Sequence, residues 1–134
     1  MRVVVTTALT GLLLATTVPV AAAEPNTVVV PEVPAEPART VFVDNPWIVD
    51  QHTTKIDSWS PHGQGLRINF TAGTPDCFGV HLTTQETPET VMVELHGGTP
   101  PEAVGRMCIA LAVDGTMDVP LQGPLGGRVV MAAQ

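Results

Sequence analysis

The chain has 134 residues, 13 acidic against 6 basic side chains and a formal charge of −7, with three Phe, two Trp and no Tyr. That length holds one ordinary domain and leaves no room for a doubly wound nucleotide fold. An acidic chain poor in rings also lacks the clustered cations and stacking surfaces that grip nucleic acid, so no nucleic-acid partner is expected.

Residues 1–23 open with Met1-Arg2, run apolar through Val3-Val4-Val5 and Leu12-Leu13-Leu14, and close on Ala21-Ala22-Ala23 before Glu24. A short basic end, an apolar stretch and an A-x-A exit predict a cleaved secretory signal peptide. The alternative is a retained anchor, but Thr6, Thr7, Thr10, Thr16, Thr17 and Pro19 break the run short of the ~20 apolar residues a span needs. No stable membrane span is expected after cleavage. No Cys follows the exit, so no lipid anchor is expected either.

Residues 24–39 read as a proline-rich acidic leader. Pro25, Pro31, Pro34 and Pro37 remove backbone donors and favour extended geometry. The segment is expected to be an unstructured leader, or else a semi-rigid spacer.

Residues 40–134 are expected to form a single β domain. Apolar residues alternate at Leu66, Ile68, Phe70; at Phe78, Val80, Leu82; at Val91, Val93, Leu95; at Met107, Ile109, Leu111, Val113; and at Met117, Val119, Leu121. Period two marks strands with one buried face. Thr40–Val43, Thr54–Trp59 and Arg128–Ala132 are weaker strand candidates, and Pro100–Val104 allows one helical turn. Turn residues separate them at Pro61-His62-Gly63, Gly73-Thr74-Pro75-Asp76, Thr87-Pro88, Gly97 to Pro101, Asp114-Gly115 and Gly123 to Gly127. The pattern predicts an all-β fold: a small antiparallel β-sandwich, or a partly open barrel, of about seven short strands.

A hairpin centred on Thr87-Pro88 sets Leu82 against Val93 and Val80 against Leu95, with His81 against Glu94 on the other face. Like charges at Glu86 and Glu89 favour a wider loop there. Asp114-Gly115 resembles a hairpin turn, but a two-residue loop would set Leu111 against Asp118, so the chain is expected to cross to the other sheet at that point. Pro120 would confine Met117–Leu121 to an edge.

Cys77 and Cys108, 31 positions apart, are expected to pair in an oxidising compartment. Closing such a loop stabilises a fold by roughly 3–4 kcal/mol. Both lie out of phase with the bulky apolar residues, which suggests a link between adjacent strands on the thinner face. No C-x-x-C is present to suggest redox catalysis.

Of His52, His62, His81 and His96, none has metal-ligand spacing to another, and no metal or other cofactor is expected. In the hairpin above, His81, Glu94 and His96 share a face with Met92, which makes them the candidate binding face. A solvated surface with one His–Glu pair is the plainer reading. Met107 and Met117 are in phase with apolar neighbours and are expected to fill the core. Ser58 and Ser60 lack a nucleophile elbow, and no pair of carboxylates is set at a glycosidase separation, so no catalytic residue is assigned and the chain is not expected to be an enzyme. Trp47 and Trp59 would cap the ends of the sandwich or form a ligand patch. Asn69-Phe70-Thr71 matches a glycosylation acceptor, but a strand interior suits it poorly.

The stretches Cys77-Phe78-Gly79-Val80-His81, Gln85-Glu86-Thr87-Pro88-Glu89-Thr90-Val91 and Pro101-Glu102-Ala103-Val104-Gly105-Arg106, with the tail Val119-Pro120-Leu121, Pro124-Leu125-Gly126 and Arg128, resemble small secreted proteins of actinobacteria. The resemblance spans about residues 54–131 and implies export, a paired cysteine and a β domain. It implies no catalytic residue. Together these observations lead to an expected role as an exported, non-catalytic β module of the cell envelope, with an envelope protein or glycan as partner. The alternative is a secreted protease inhibitor presenting Gly97–Pro101 as a bait loop.

Overall fold

In the computed structural model, which describes residues 26–134, the period-two segments form strands that bury one side in common. The leader expected over 1–23 lies outside the described residues. Nine strands are present among the described residues: β1 (Thr27–Val29), β2 (Thr40–Val41), β3 (Val49–Thr54), β4 (Ser58–His62), β5 (Gly65–Ala72), β6 (Gly79–Glu86), β7 (Thr90–Thr99), β8 (Val113–Val119) and β9 (Val129–Ala133). One sheet runs β1-β9-β7-β3 with β6 on the far side of β7, and the other runs β2-β8-β5-β4. Most pairings are antiparallel; β2–β8 and β7–β9 are parallel.

The two sheets close on Leu66, Ile68 and Phe70 of β5, Val80 of β6, Val91, Val93 and Leu95 of β7, and Val130 of β9, all essentially inaccessible. Each such side chain contributes roughly 1.5–3 kcal/mol of burial. Phe42 stacks at a tilt on Phe70, ring centres 5.3 Å apart. The all-β, two-sheet, one-disulfide expectation therefore holds, with more strands than the alternation alone revealed.

The β6–β7 hairpin keeps the expected faces but not the expected pairs. Leu82 opposes Leu95, Val80 opposes Gly97 and His81 opposes His96, a shift of two. Thr87 sets it: its N–H donates to Thr90 O (2.9 Å), and its Oγ1 accepts from the Thr90 N–H (2.9 Å), which centres the turn on Pro88-Glu89. An even shift preserves which side chains point inward. Glu86 then faces Val91 instead of Glu89.

Four expectations are corrected. Residues 106–112 form no strand: the segment is exposed throughout, with Met107 fully exposed instead of in the core. Its alternation finds no sheet because Cys108 is tied to Cys77 (Cα–Cα 6.0 Å), linking the turn before β6 to this loop. The disulfide thus joins two loops and not adjacent strands. Asp114-Gly115 is not a turn but lies within β8, opposite Thr71 and Phe70. Gly115 is needed there for packing, since a Cβ would come within 2.8 Å of Phe70 and 2.9 Å of Phe42. β8 lies between β2 and β5 and is not an edge; Pro120 falls just past its last residue.

The domain also begins earlier than residue 40. Thr27–Val29 pairs with β9, and Val30 is buried and donates to Val130 O at 2.9 Å. Pro31 O accepts from the Trp59 N–H, and the Val33 N–H donates to Trp59 O. The β-branched run Thr27 to Val30 outweighs the flanking prolines, which a sheet edge tolerates. Lastly, Gly97, Gly98 and Pro100 are buried and Gly97–Thr99 belongs to β7, so Gly97–Pro101 is not an exposed bait loop. The turn Pro101–Ala103 is a single 3-10 turn, as expected nearby.

Candidate functional site

The β6–β7 register brings His81 and His96 side by side, but each histidine has its own carboxylate. His81 Nδ1 lies 2.9 Å from Asp44 Oδ1, which also accepts from the Leu82 N–H at 2.8 Å. His96 Nε2 lies 3.1 Å from Glu94 Oε1. Glu94 opposes Thr83, not His81 as the earlier register would have it. The Asp44 contacts fasten the crossing from β2 to the edge of β6, where Asp44 also bridges Val80. Sequence reasoning found the histidines and missed Asp44, because 37 residues separate it from His81.

His62 lies 3.7 Å from Asp118, which also pairs with Arg67. His52 packs edge-on against Phe78, ring centres 6.1 Å apart. Among the described residues no group of three or more His, Cys, Asp or Glu is placed to hold a metal ion. Trp59 packs against the core, whereas Trp47 is 76% exposed. Met117 is buried as expected. Asn69 is also buried, its amide donating to Ser58 Oγ and Ser60 Oγ (3.1 Å each) and accepting from Thr116 Oγ1 (3.0 Å). That network employs both serines and leaves the amide of the glycosylation triplet inside the fold.

A second constellation escaped the sequence. At the end of the sandwich where β5 ends and β6 begins, a groove of about 600 Å³ runs between the end of β3 and the disulfide-held loop. One wall carries His52, Thr53 and Thr54; the other carries Ile109, Ala110, Leu111 and Ala112; Thr71, Ala72, Gly73 and Phe78 complete the lining. Ile109 is 72% and Leu111 54% exposed. Phe78 approaches so closely over Gly97 that a Cβ there would lie 2.4 Å from its ring. Thr54 lies beside it, nine-tenths buried, and its Oγ1 has no hydrogen-bond partner. The signal available in the sequence was the alternation over 107–113, misassigned to a buried strand.

A third cluster is structural. Arg128, mostly covered, donates to Leu125 O, Pro124 O and Glu86 Oε1 at 2.9–3.1 Å, and Glu86 Oε2 accepts from the Gln122 N–H at 2.9 Å. The Gln122 amide, and then the Arg128 guanidinium, hold the Glu86 carboxyl below its ordinary value. The tail motif noted in the sequence therefore builds a clamp between the Gly123–Gly127 loop and the β6–β7 hairpin.

Comparison with protein-family models, curated proteins and solved structures gave no match. Among the described residues no helix is long and apolar enough to cross a membrane.

Proposed function

We propose that the chain is an exported, non-catalytic β module of the cell envelope that works by binding an envelope component at the groove end of the sandwich. The observation that carries this reading is the loop of residues 104–112. It sets Met107, Ile109 and Leu111 in solvent while a covalent link keeps the loop in place. Isolated exposed apolar residues are ordinary, but a contiguous set beside a concave surface marks an interaction site. Export is supported by the basic-apolar-Ala leader and by the disulfide, a bond that persists outside the cytosol.

The test is fractionation of cells expressing the full chain, followed by retention of the exported protein on washed envelopes. The reading predicts a product lacking residues 1–23 that is retained by envelopes and released by the double variant Ile109→Asp/Leu111→Asp. A product kept in the cytosol with its leader, or retention indifferent to the double variant, would contradict it.

A further inference from the structure

A trypsin-like endoprotease needs a basic side chain free to enter its pocket, and chain on both sides of the bond free to enter its cleft. Five Lys and Arg residues lie among the described residues, and four of them do not meet these needs. Arg39 pairs with Glu36 and is followed directly by β2. Arg67 pairs with Asp118 inside β5, ahead of the inaccessible Ile68. Arg128 is clamped by Glu86 and backbone carbonyls and is followed directly by β9. Lys55 is exposed but lies against Asp57, and Ile56 after it is only 2% exposed.

Arg106 meets both needs. Its guanidinium makes no ion pair or side-chain hydrogen bond among the described residues, and residues 104–112 are exposed throughout. Met107, which follows it, is fully exposed and belongs to no strand. The local contact that must yield is the Arg106 N–H donating to Ala103 O (3.0 Å), which closes a turn with Gly105 at φ 78°. That turn lies at the surface, where water replaces a lost backbone bond at little cost.

What flanks the bond decides the product. Residues 107–134 supply β8, between β2 and β5, and β9, between β1 and β7. The piece after Arg106 is therefore laced into both sheets. Cys108 ties it to Cys77 on the other piece, and Arg128 ties it to Glu86. Severing the chain after Arg106 removes none of these links.

We infer that the Arg106–Met107 peptide bond is a processing site for an extracellular arginine-directed serine endoprotease, whose product is a folded two-chain molecule joined by Cys77–Cys108. Water adds across the bond and leaves a carboxylate on Arg106 and an ammonium on Met107. Nothing is oxidised or reduced, and the disulfide is not consumed. The inference goes beyond the envelope-binding reading and does not depend on it. Its consequence for the groove is mechanical: after the cut, the wall Ile109–Ala112 is held on its upstream side by the sulfur link alone.

The test treats the oxidised protein with a low dose of trypsin under native conditions, and separately reads the amino termini of the protein recovered from the medium and envelopes of the organism that makes it. Trypsin should give one product, heavier by one water, that runs as a single species without reductant and as two with it, the second beginning at Met107. Its β-type far-ultraviolet spectrum and cooperative thermal unfolding should persist. Arg106→Gln should slow this cut about 100-fold or more, because a pocket built for a charged side chain rejects a neutral one. Arg106→Lys should retain it. The recovered protein should carry Met107 as a second amino terminus, and its Arg106→Gln variant should not.

First cleavage after Lys55 or another basic residue, cleavage that runs on from Arg106 to small peptides, or loss of folded structure on nicking would overturn the inference. So would recovery of the protein with the Arg106–Met107 bond intact throughout, which would reduce the trypsin result to accessibility alone.

Discussion

Gly97 shows how one missing side chain organises this end of the molecule. Its bare Cα lets the Phe78 ring close over the sheet, with Thr54 Oγ1 alongside; an added Cβ would meet them at 2.4 and 2.6 Å. Gly97→Ala should therefore destabilise the fold by about 1–3 kcal/mol in chemical denaturation and displace Phe78. An unchanged midpoint would show that the ring is free to move. Glu86 makes the opposite case, a residue whose value is electrostatic. Its folded-state carboxyl titrates below the ordinary 4.5, through the Gln122 amide first and Arg128 second. A lowered acid contributes stability above its unfolded-state pKa and loses it as pH falls through the folded one. Glu86→Gln should lower the thermal midpoint at neutral pH, and the gap from the native protein should close below pH 4.5. A gap that widens in acid would mean that the clamp is not ionic.

At the scale of elements, what was legible followed from side-chain period. The alternation of Leu66, Ile68 and Phe70 has a single solution, a strand with one buried face, and β5 is that strand. The faces of β6 and β7 were also legible, because parity survives a shift of two; the pairs were not, because the hydrogen bonds of Thr87 choose the turn and periodicity does not see them. Alternation over 107–113 misled for a different reason. Period two fits a strand only where the backbone is extended and neighbours cover one face; here the Leu111 N–H turns back to Ile109 O, Cys108 is tied to Cys77, and the segment stays exposed. β1 was hidden by prolines on both sides, and β3 by its polar sequence Asp50-Gln51-His52. The place of β1 in the fold is testable through Val30, which is 3% exposed. Val30→Ala should cost about 2 kcal/mol, whereas an unstructured leader would tolerate it without change in the denaturation midpoint.

For the whole molecule, the core and the disulfide act on different parts. The two sheets close around Phe70, Ile68 and Leu95 without help from either cysteine, while residues 104–112 depend on the bond for their place beside the groove. Cys77→Ser/Cys108→Ser should lose roughly 3–4 kcal/mol of loop-closure stabilisation yet retain a β-type far-ultraviolet spectrum. Trypsin should then cut first after Arg106. A variant that loses all structure would place the disulfide at the heart of the fold instead of its end. The most direct test of the account is hydrogen–deuterium exchange of the oxidised protein, resolved along residues 100–120. The account predicts rapid exchange from Met107 to Ala112, giving way at Val113 to the strong protection of β8. Protection continuous from Met107 through Val119 would contradict it, for the apolar loop would then be a buried strand instead of the exposed wall of the groove.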